Sequence, residues 1–424
     1  MKQQRPYPQV IVSRKAARNL SSGHVWVFEG EVRGFANLAH DADGIENGSV
    51  VDVVGENGVW HGTGLYSRLS KIRVRLVTRN ANDRIDEAFW ERKLRWTWEM
   101  RTRVMGAETA CCRVIFSEAD GFPGLVVDRY GDVLVTQVGT VGMELRRELL
   151  YGLLLKVLDE DGQAVRAIFE RCDAPVRAKE GLELRAGWWE GSPSMPDSPR
   201  ITVCENGVLY GLDLEHSQKT GFFLDQKRNR AAVARIAHGA RMMDCFCHVG
   251  PFGLNAAAAG AVYVRFVDAS AGALDLVRAN AALNGFDAND EKRFGYTCAD
   301  ALDYLAELAR SKARLREEGG PFDLIVLDPP AFAKRGQDVH NAARAYRQIN
   351  ESALRILPRG GYLATCSCSQ HMTRDLLARA IGEAAHRAGV SLKQLEERQQ
   401  APDHPILWGV PETHYLDFFI FQVV

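Results

Sequence analysis

The sequence predicts an α/β protein in three parts: a small all-β barrel over residues 1–80, a middle α+β region over 81–200, and a parallel α/β region over 201–424. Three observations predict it. Short β-branched runs separated by Gly-Asn and Gly-Glu-Asn-Gly turns fill the first 80 residues. From Ile201 onward strand and helix patterns alternate, which is the signature of a parallel sheet with crossovers. Within that region Phe322-Asp323-Leu324-Ile325-Val326-Leu327-Asp328-Pro329-Pro330-Ala331-Phe332 is a buried strand stopped by two prolines, which have no N–H to give a ladder. Asp328 is left at the carboxyl end of a central strand, where open α/β sheets bind their ligands.

Bulk composition narrows the class. At 424 residues the chain exceeds a single core. Its 46% hydrophobic and 25% charged content are ordinary for a globular protein. No run of about 18 apolar residues marks a membrane helix, and Met1-Lys2-Gln3-Gln4-Arg5-Pro6 holds no apolar signal region. Nine cysteines, with two C-x-C pairs (Cys245/Cys247 and Cys366/Cys368) and no C-x-x-C, give no disulfide or zinc framework. A reduced cytoplasmic protein without a metal is expected. The net charge of −1 does not advertise nucleic acid. Residues 1–80 nevertheless hold eleven Lys/Arg against seven Asp/Glu, clustered at Arg14-Lys15-Arg18 and from Arg68 to Arg79. That pattern suits a phosphate-contacting face and a solvated strand face equally.

In order along the chain, the barrel strands are expected at 10–12, 50–54, 58–66 and 72–77, with Gly23-His24-Val25-Trp26-Val27-Phe28 as a compact aromatic strand. A helix over 87–105 follows from the apolar spacing of Phe89, Trp90, Leu94, Trp96, Trp98 and Met105. Residues 117–137 read as a turn, a strand, an Arg-Tyr-Gly-Asp hairpin and a second strand. A helix at about 143–158 and a strand at 167–170 come next, and the Gly/Ser/Pro-rich stretch 191–199 marks a boundary. In the α/β region strands are expected at 202–205, 208–213, 241–247, 262–267, 296–298, 324–328 and 362–366. Helices are expected from near Asp225, after Gly253, at 274–284 and at 341–357.

Two groups of residues carry chemistry. Asp244-Cys245-Phe246-Cys247-His248-Val249-Gly250-Pro251-Phe252-Gly253 joins a strand to a helix through glycines that let a ligand approach the backbone. Pro251-Phe252 separates those glycines, so the spacing is not that of a nicotinamide site. Asp268, 24 residues after Asp244 and followed by Ala269, ends the next strand, where a carboxylate accepts both ribose hydroxyls. Asp300 ends the third and is placed to take an adenine amine. Helix capping is the plain alternative for each acid. Together with Phe246, Gly250, Phe252, Asp328 and Pro329 they make a candidate S-adenosylmethionine site. On the target side, Asp328 and the Cys366-Ser367-Cys368 segment end neighbouring strands. Cytosine C5 is too poor a nucleophile to take a methyl group unaided. A thiolate added at C6 activates it, and an acid such as Asp328 shares a proton at N3. Either Cys368 or Cys366 meets that need by strand alternation, and a buried structural thiol is the plain alternative for both. The base that takes the C5 proton is not named by the pattern.

These strings resemble the PUA-domain-containing ribosomal RNA large-subunit methyltransferases, whose bacterial members make 5-methylcytosine in 23S rRNA. The resemblance covers essentially the whole chain. It rests on Gly23–Phe28, on Ser117–Tyr130, on Gln218-Lys219-Thr220-Gly221-Phe222-Phe223-Leu224-Asp225-Gln226, on Asp328–Phe332 and on Ser367-Cys368-Ser369. It implies an N-terminal PUA domain, a middle domain and a C-terminal Rossmann-like S-adenosylmethionine-dependent methyltransferase. It also implies an rRNA substrate, a homodimer and Cys368 as the nucleophile, with Lys219, Thr220, Gly221 and Phe222 over the donor. The chain departs from the family at His248-Val249-Gly250-Pro251 and at Asp417. It also has Pro330 where two-cysteine RNA cytosine methyltransferases carry a Cys. Methylation of guanine N7 or another rRNA atom would need no thiolate, and an adenine-N6 enzyme would want a stacking aromatic where Ala331 stands. A non-catalytic RNA-binding assembly factor would not need Asp244, Asp268, Asp328 and Cys368 together.

Overall fold

The computed structural model describes residues 5–38, 44–216, 220–333, 338–369 and 371–424. It divides into two compact units, the first comprising 1–201, 212–224 and 402–413, the second 202–211, 225–401 and 414–424.

In the first unit, a six-stranded sheet runs in the order Trp26–Phe28, Ile72–Thr78, Trp60–Tyr66, Val50–Gly55, Gln9–Val12, Val32–Ala36. Alternating residues such as Val10, Val12, Val51, Val53 and Val74 bury one face. The segment is not purely β. A helix at Arg14–Ser21 packs Ala16 and Leu20 into that core, and the Ser13 side chain accepts from Ala16 N (3.3 Å) to cap it. A strongly β neighbourhood hides so short a helix, because two apolar residues four apart are its only periodic mark. The second sheet has five strands in the order Arg185–Trp188, Ala167–Cys172, Val133–Val138, Leu125–Tyr130, Cys111–Phe116. The helix Glu87–Met105 packs on it, with Asp86 accepting from Phe89 N (3.0 Å). Five of the six apolar residues expected inward are buried. Trp96 instead faces outward, 60% exposed with the Arg92 guanidinium over its ring. The helix expected at about 143–158 is two, Val141–Glu144 and Arg147–Glu160.

Two later segments fold with this unit. Leu214 O accepts from Arg171 Nη1 (2.6 Å). Asp403 accepts from Arg113 N (2.9 Å) through its carboxylate and from Arg101 Nη2 (3.0 Å) through its carbonyl.

The second unit is built on a seven-stranded sheet: β1 (Arg241–Cys245), β2 (Tyr263–Asp268), β3 (Phe294–Cys298), β4 (Leu324–Leu327), β5 (Tyr362–Ser367), β6 (Leu392–Gln399) and β7 (Asp417–Val423). The spatial order is 3-2-1-4-5-7-6, parallel from β3 through β5, with β7 antiparallel to both β5 and β6. Crossover helices α1 (Pro251–Ala258), α2 (Ala271–Leu283), α3 (Ala301–Arg310) and α4 (Val339–Ile356) connect the parallel strands. Residues of α3 and α4 share one core with β1, β2, β4 and β5. Cover on both faces explains why β4 is an unbroken apolar run. The chain order reverses between β1 and β4, and the crevice at such a switch point is where this architecture binds ligands. A fully buried bidentate pair, Arg230 Nε and Nη2 to Glu205 Oε1 and Oε2 (2.6 and 2.7 Å), ties the helix Lys227–Arg235 to the end of the strand Arg200–Glu205.

Candidate active site

The donor-side loop begins where β1 ends. Phe246 (φ 62°) and His248 (φ 50°) adopt left-handed backbone, and Gly250 (φ 82°) does so as the N-cap of α1. Two non-glycine residues in that conformation within three positions store strain of the kind that clusters at ligand sites. Gly253 is required by packing, since a Cβ there would fall 2.2 Å from Phe266 Cε1. The loop's carboxylates close it. Asp244 Oδ2 accepts from Gly253 N (2.8 Å), and Asp268 accepts from His248 N through Oδ2 and from Ser270 N through Oδ1 (2.9 Å each).

Asp244 is 1% exposed, and its Oδ1 has no hydrogen-bond partner among the described residues. Burial pushes its carboxyl up to about 8, with the nearby Asp328 and Asp268 charges adding to the effect. A buried acceptor without a donor, beside a second acid with lone pairs to spare, fits a ligand carrying both a positive charge and hydroxyls. S-adenosylmethionine has both. Phe252 contributes no open ring face, because it is buried and stacks on Phe418 at 6.1 Å. Ala269 is exposed beside Asp268. Asp300 is exposed and caps α3, its Oδ1 accepting from Leu302 N (2.9 Å) and Asp303 N (3.3 Å). Its Oδ2 makes no hydrogen bond among the described residues.

On the target side the register sets Thr365 opposite Leu327, so the next residue of each strand, Cys366 and Asp328, stand level. Cys366 Sγ donates to Asp328 Oδ1 (3.0 Å), and Gln226 Nε2 reaches the same oxygen (3.0 Å) and the Cys366 sulfur (3.3 Å). Asp328 is half-buried. Burial raises its carboxyl to about 6 against the lowering effect of the Cys366 and Gln226 hydrogen bonds, and the Asp225 charge adds to the rise. Cys366 is wholly buried, which together with the Asp328 charge pushes its thiol well up. Cys368 lies one residue past the end of β5, half-buried, with Sγ 3.8 Å from Pro329 O. The serines beside it are tied to one phenol: Ser367 Oγ donates to Tyr346 Oη (2.9 Å), and Tyr346 Oη and Ser369 Oγ share a hydrogen bond (3.1 Å). The Phe332 ring packs on Tyr346 at 4.9 Å.

The second unit therefore assembles Asp244, Phe246, Gly250, Phe252, Asp268, Ala269, Asp300, Asp328, Pro329 and Cys368 around the carboxyl ends of its strands. Thr220, Gly221 and Phe222 fold with the first unit instead. There Thr220 Oγ1 bonds Asp128, and the Tyr130 phenol accepts from Phe222 N (3.1 Å) and donates to Phe222 O (3.3 Å). Lys219 lies outside the described residues. Sequence reasoning missed Gln226 and Tyr346. Gln226 closes the string that begins at Gln218, whereas Tyr346 is one aromatic on an amphipathic helix and carries no signal of its own.

The strand order, the switch-point acids and the fit of the loop to a charged nucleoside define the class, an S-adenosylmethionine-dependent methyltransferase. Residues 185–414 match the family described as S-adenosylmethionine-dependent methyltransferase, and 10–79 match a PUA-like domain. Among curated proteins, ribosomal RNA large subunit methyltransferase I of Alteromonas mediterranea is 36% identical over 98% of both chains. The protein of that name from Shewanella amazonensis is 38% identical over 96% of this chain and 97% of its own. The chain belongs to the ribosomal RNA large subunit methyltransferase I family. In fold it is similar to a SAM-dependent methyltransferase from Streptococcus mutans (TM-score 0.76, 18% identity, 98% of this chain and 100% of that one). It is also similar to a methyltransferase solved with SAH (TM-score 0.78, 19% identity, the same coverage).

Proposed function

We propose that the protein methylates C5 of a cytosine in large-subunit (23S) ribosomal RNA through a covalent adduct between Cys368 and C6. The observation that carries this reading is the half-buried thiol of Cys368 one residue past β5, against the Asp328-Pro329-Pro330 turn. Methylation of a ring nitrogen would give that thiol no task. S-adenosylmethionine supplies a methyl group on positively charged sulfur, an electrophile that an activated C5 attacks.

The chain's own residues perform the remaining steps. The Cys368 thiolate adds to C6, and the C5–C6 double bond becomes a C6–S bond with electron density displaced toward N3. Asp328, its carboxyl raised to about 6, shares a proton there. Cys366 and Gln226 both bond Oδ1, which leaves Oδ2 for the base. After methylation the C5 proton leaves to a base, the double bond re-forms and the thiolate is expelled. The buried, raised thiol of Cys366 is a poor nucleophile by comparison, which supports Cys368. Asp244 and the Asp268 carboxylate would hold the cationic and ribose parts of the donor. The reading extends to domain boundaries near residues 80 and 200, to a homodimer and to a cytoplasmic location.

Cys368→Ala is the test. It is expected to abolish methyl transfer to rRNA while leaving donor affinity by calorimetry nearly unchanged, and mass spectrometry of wild-type product should place the methyl on cytosine C5. Transfer by the alanine variant at the wild-type rate would remove Cys368 as the nucleophile, and a methyl found on a ring nitrogen would overturn the C5 reading.

A further inference from the structure

We infer that Trp408 stacks on an unpaired base of the RNA, which places a substrate contact in the first unit; this rests on RNA being the substrate. Trp408 is 96% exposed, far more than any other large apolar side chain among the described residues. It is held there rigidly. Val410 N donates to Leu407 O (2.8 Å) and closes the turn. Thr413 Oγ1 accepts from Leu407 N (2.8 Å) and donates to Val410 O (2.7 Å). Val410 is fully buried beneath it. Gly409 lies against Gly23 so closely that a Cβ on it would fall 2.2 Å from the Gly23 carbonyl oxygen. The turn is therefore pinned to the start of the aromatic stretch, in which the His24 ring meets Trp26 at 5.4 Å and Phe28 at 6.2 Å.

The charge around Gly23 selects the partner. From Ser13 to Phe28 the sequence holds Arg14, Lys15 and Arg18 and no carboxylate. All three are exposed, and among the described residues none forms an ion pair. Arg79 adds a guanidinium anchored at this point by the Leu20 and His24 carbonyls (2.6 Å each). A fixed indole in open solvent, with three exposed cations in the segment before Gly23 and Glu412 the one acid of its own turn, suits a polyanion that carries flat rings. Single-stranded RNA offers both, phosphates for the cations and a π-face for the indole. A second copy of this chain would bring no such excess of negative charge, since the whole molecule is near neutral.

The test compares the full-length protein with Trp408→Ala and Trp408→Phe, binding each to a labelled fragment of large-subunit rRNA. The alanine variant should bind about tenfold more weakly or worse and the phenylalanine variant close to wild type. Donor affinity by calorimetry and sedimentation behaviour should be unchanged in all three. Equal RNA affinity in the alanine variant and a wild type that binds overturns the inference alone. A change of oligomeric state at unchanged RNA affinity overturns it in favour of an interface between copies. A wild type that does not bind the fragment overturns both this inference and the proposed substrate.

Discussion

Asp244 and Asp268 sit on the same loop and meet opposite conditions. Asp268 is partly exposed, and each of its oxygens accepts one backbone N–H, so it stays ready to accept more. Asp268→Ala should weaken donor binding by about 1.5–3 kcal/mol, the scale of hydrogen bonds to a charged group. Calorimetric titration with S-adenosylmethionine checks it, and an unchanged affinity removes Asp268 from the cofactor site. Asp244 is dry, and its carboxyl is raised from 3.8 to about 8. A carboxyl raised on folding contributes stability that is present in full below pH 3.8 and is lost as pH climbs through about 8. Asp244→Asn lacks that titration, so its melting temperature should fall less than the wild type's between pH 5 and pH 8.5. Parallel losses in the two proteins would mean that Asp244 does not titrate there.

At the scale of elements, the contact between α1 and β2 sets how close the donor loop comes to the sheet. Gly253 faces Phe266, which is fully buried and stacked on Tyr296 at 5.7 Å. Gly253→Ala pushes a methyl into that ring and should cost about 1–3 kcal/mol by overpacking, read as a lower urea midpoint at unchanged m-value. A midpoint equal to wild type would show that α1 can shift without cost. Elements also differ in how visible they were in advance. The aliphatic β4 and the helix Glu87–Met105 announced themselves by composition and period. Strand β6, Leu-Lys-Gln-Leu-Glu-Glu-Arg-Gln, did not, because it is the sheet's edge and carries the charges that keep an edge from pairing with another chain. Trp96 looked like core by spacing and turned out to face solvent, since a helix that packs on one side leaves the other free.

For the molecule as a whole, the second unit depends on a charge pair with no access to water. Arg230 and Glu205 are buried and bidentate. Glu205→Ala leaves a guanidinium buried with its carboxylate gone, and should cost about 3–5 kcal/mol in a denaturant titration of the full chain. A loss below about 1 kcal/mol would mean that other groups replace the carboxylate. The two compact units also exchange segments along the chain. Leu212–Leu224 and Pro402–Thr413 leave the α/β region of the sequence and complete the first unit through Arg171, Tyr130, Arg101 and Arg113.

The sequence by itself determined the α/β class, the switch-point strand that ends in Asp328-Pro329-Pro330, the acids at the ends of β1 and β2, and the two cysteines worth testing. Those features are local: a strand's burial, a proline's missing N–H and a glycine's small size act within a few residues. Tertiary structure alone decided which cysteine is sealed against Asp328 and which is reachable, because that depends on the register between β4 and β5. It also placed Gln226 on Asp328, Tyr346 on both serines flanking Cys368, and Gly409 against Gly23. Each of these contacts joins residues far apart in the chain, where no spacing rule operates and only packing selects the neighbour.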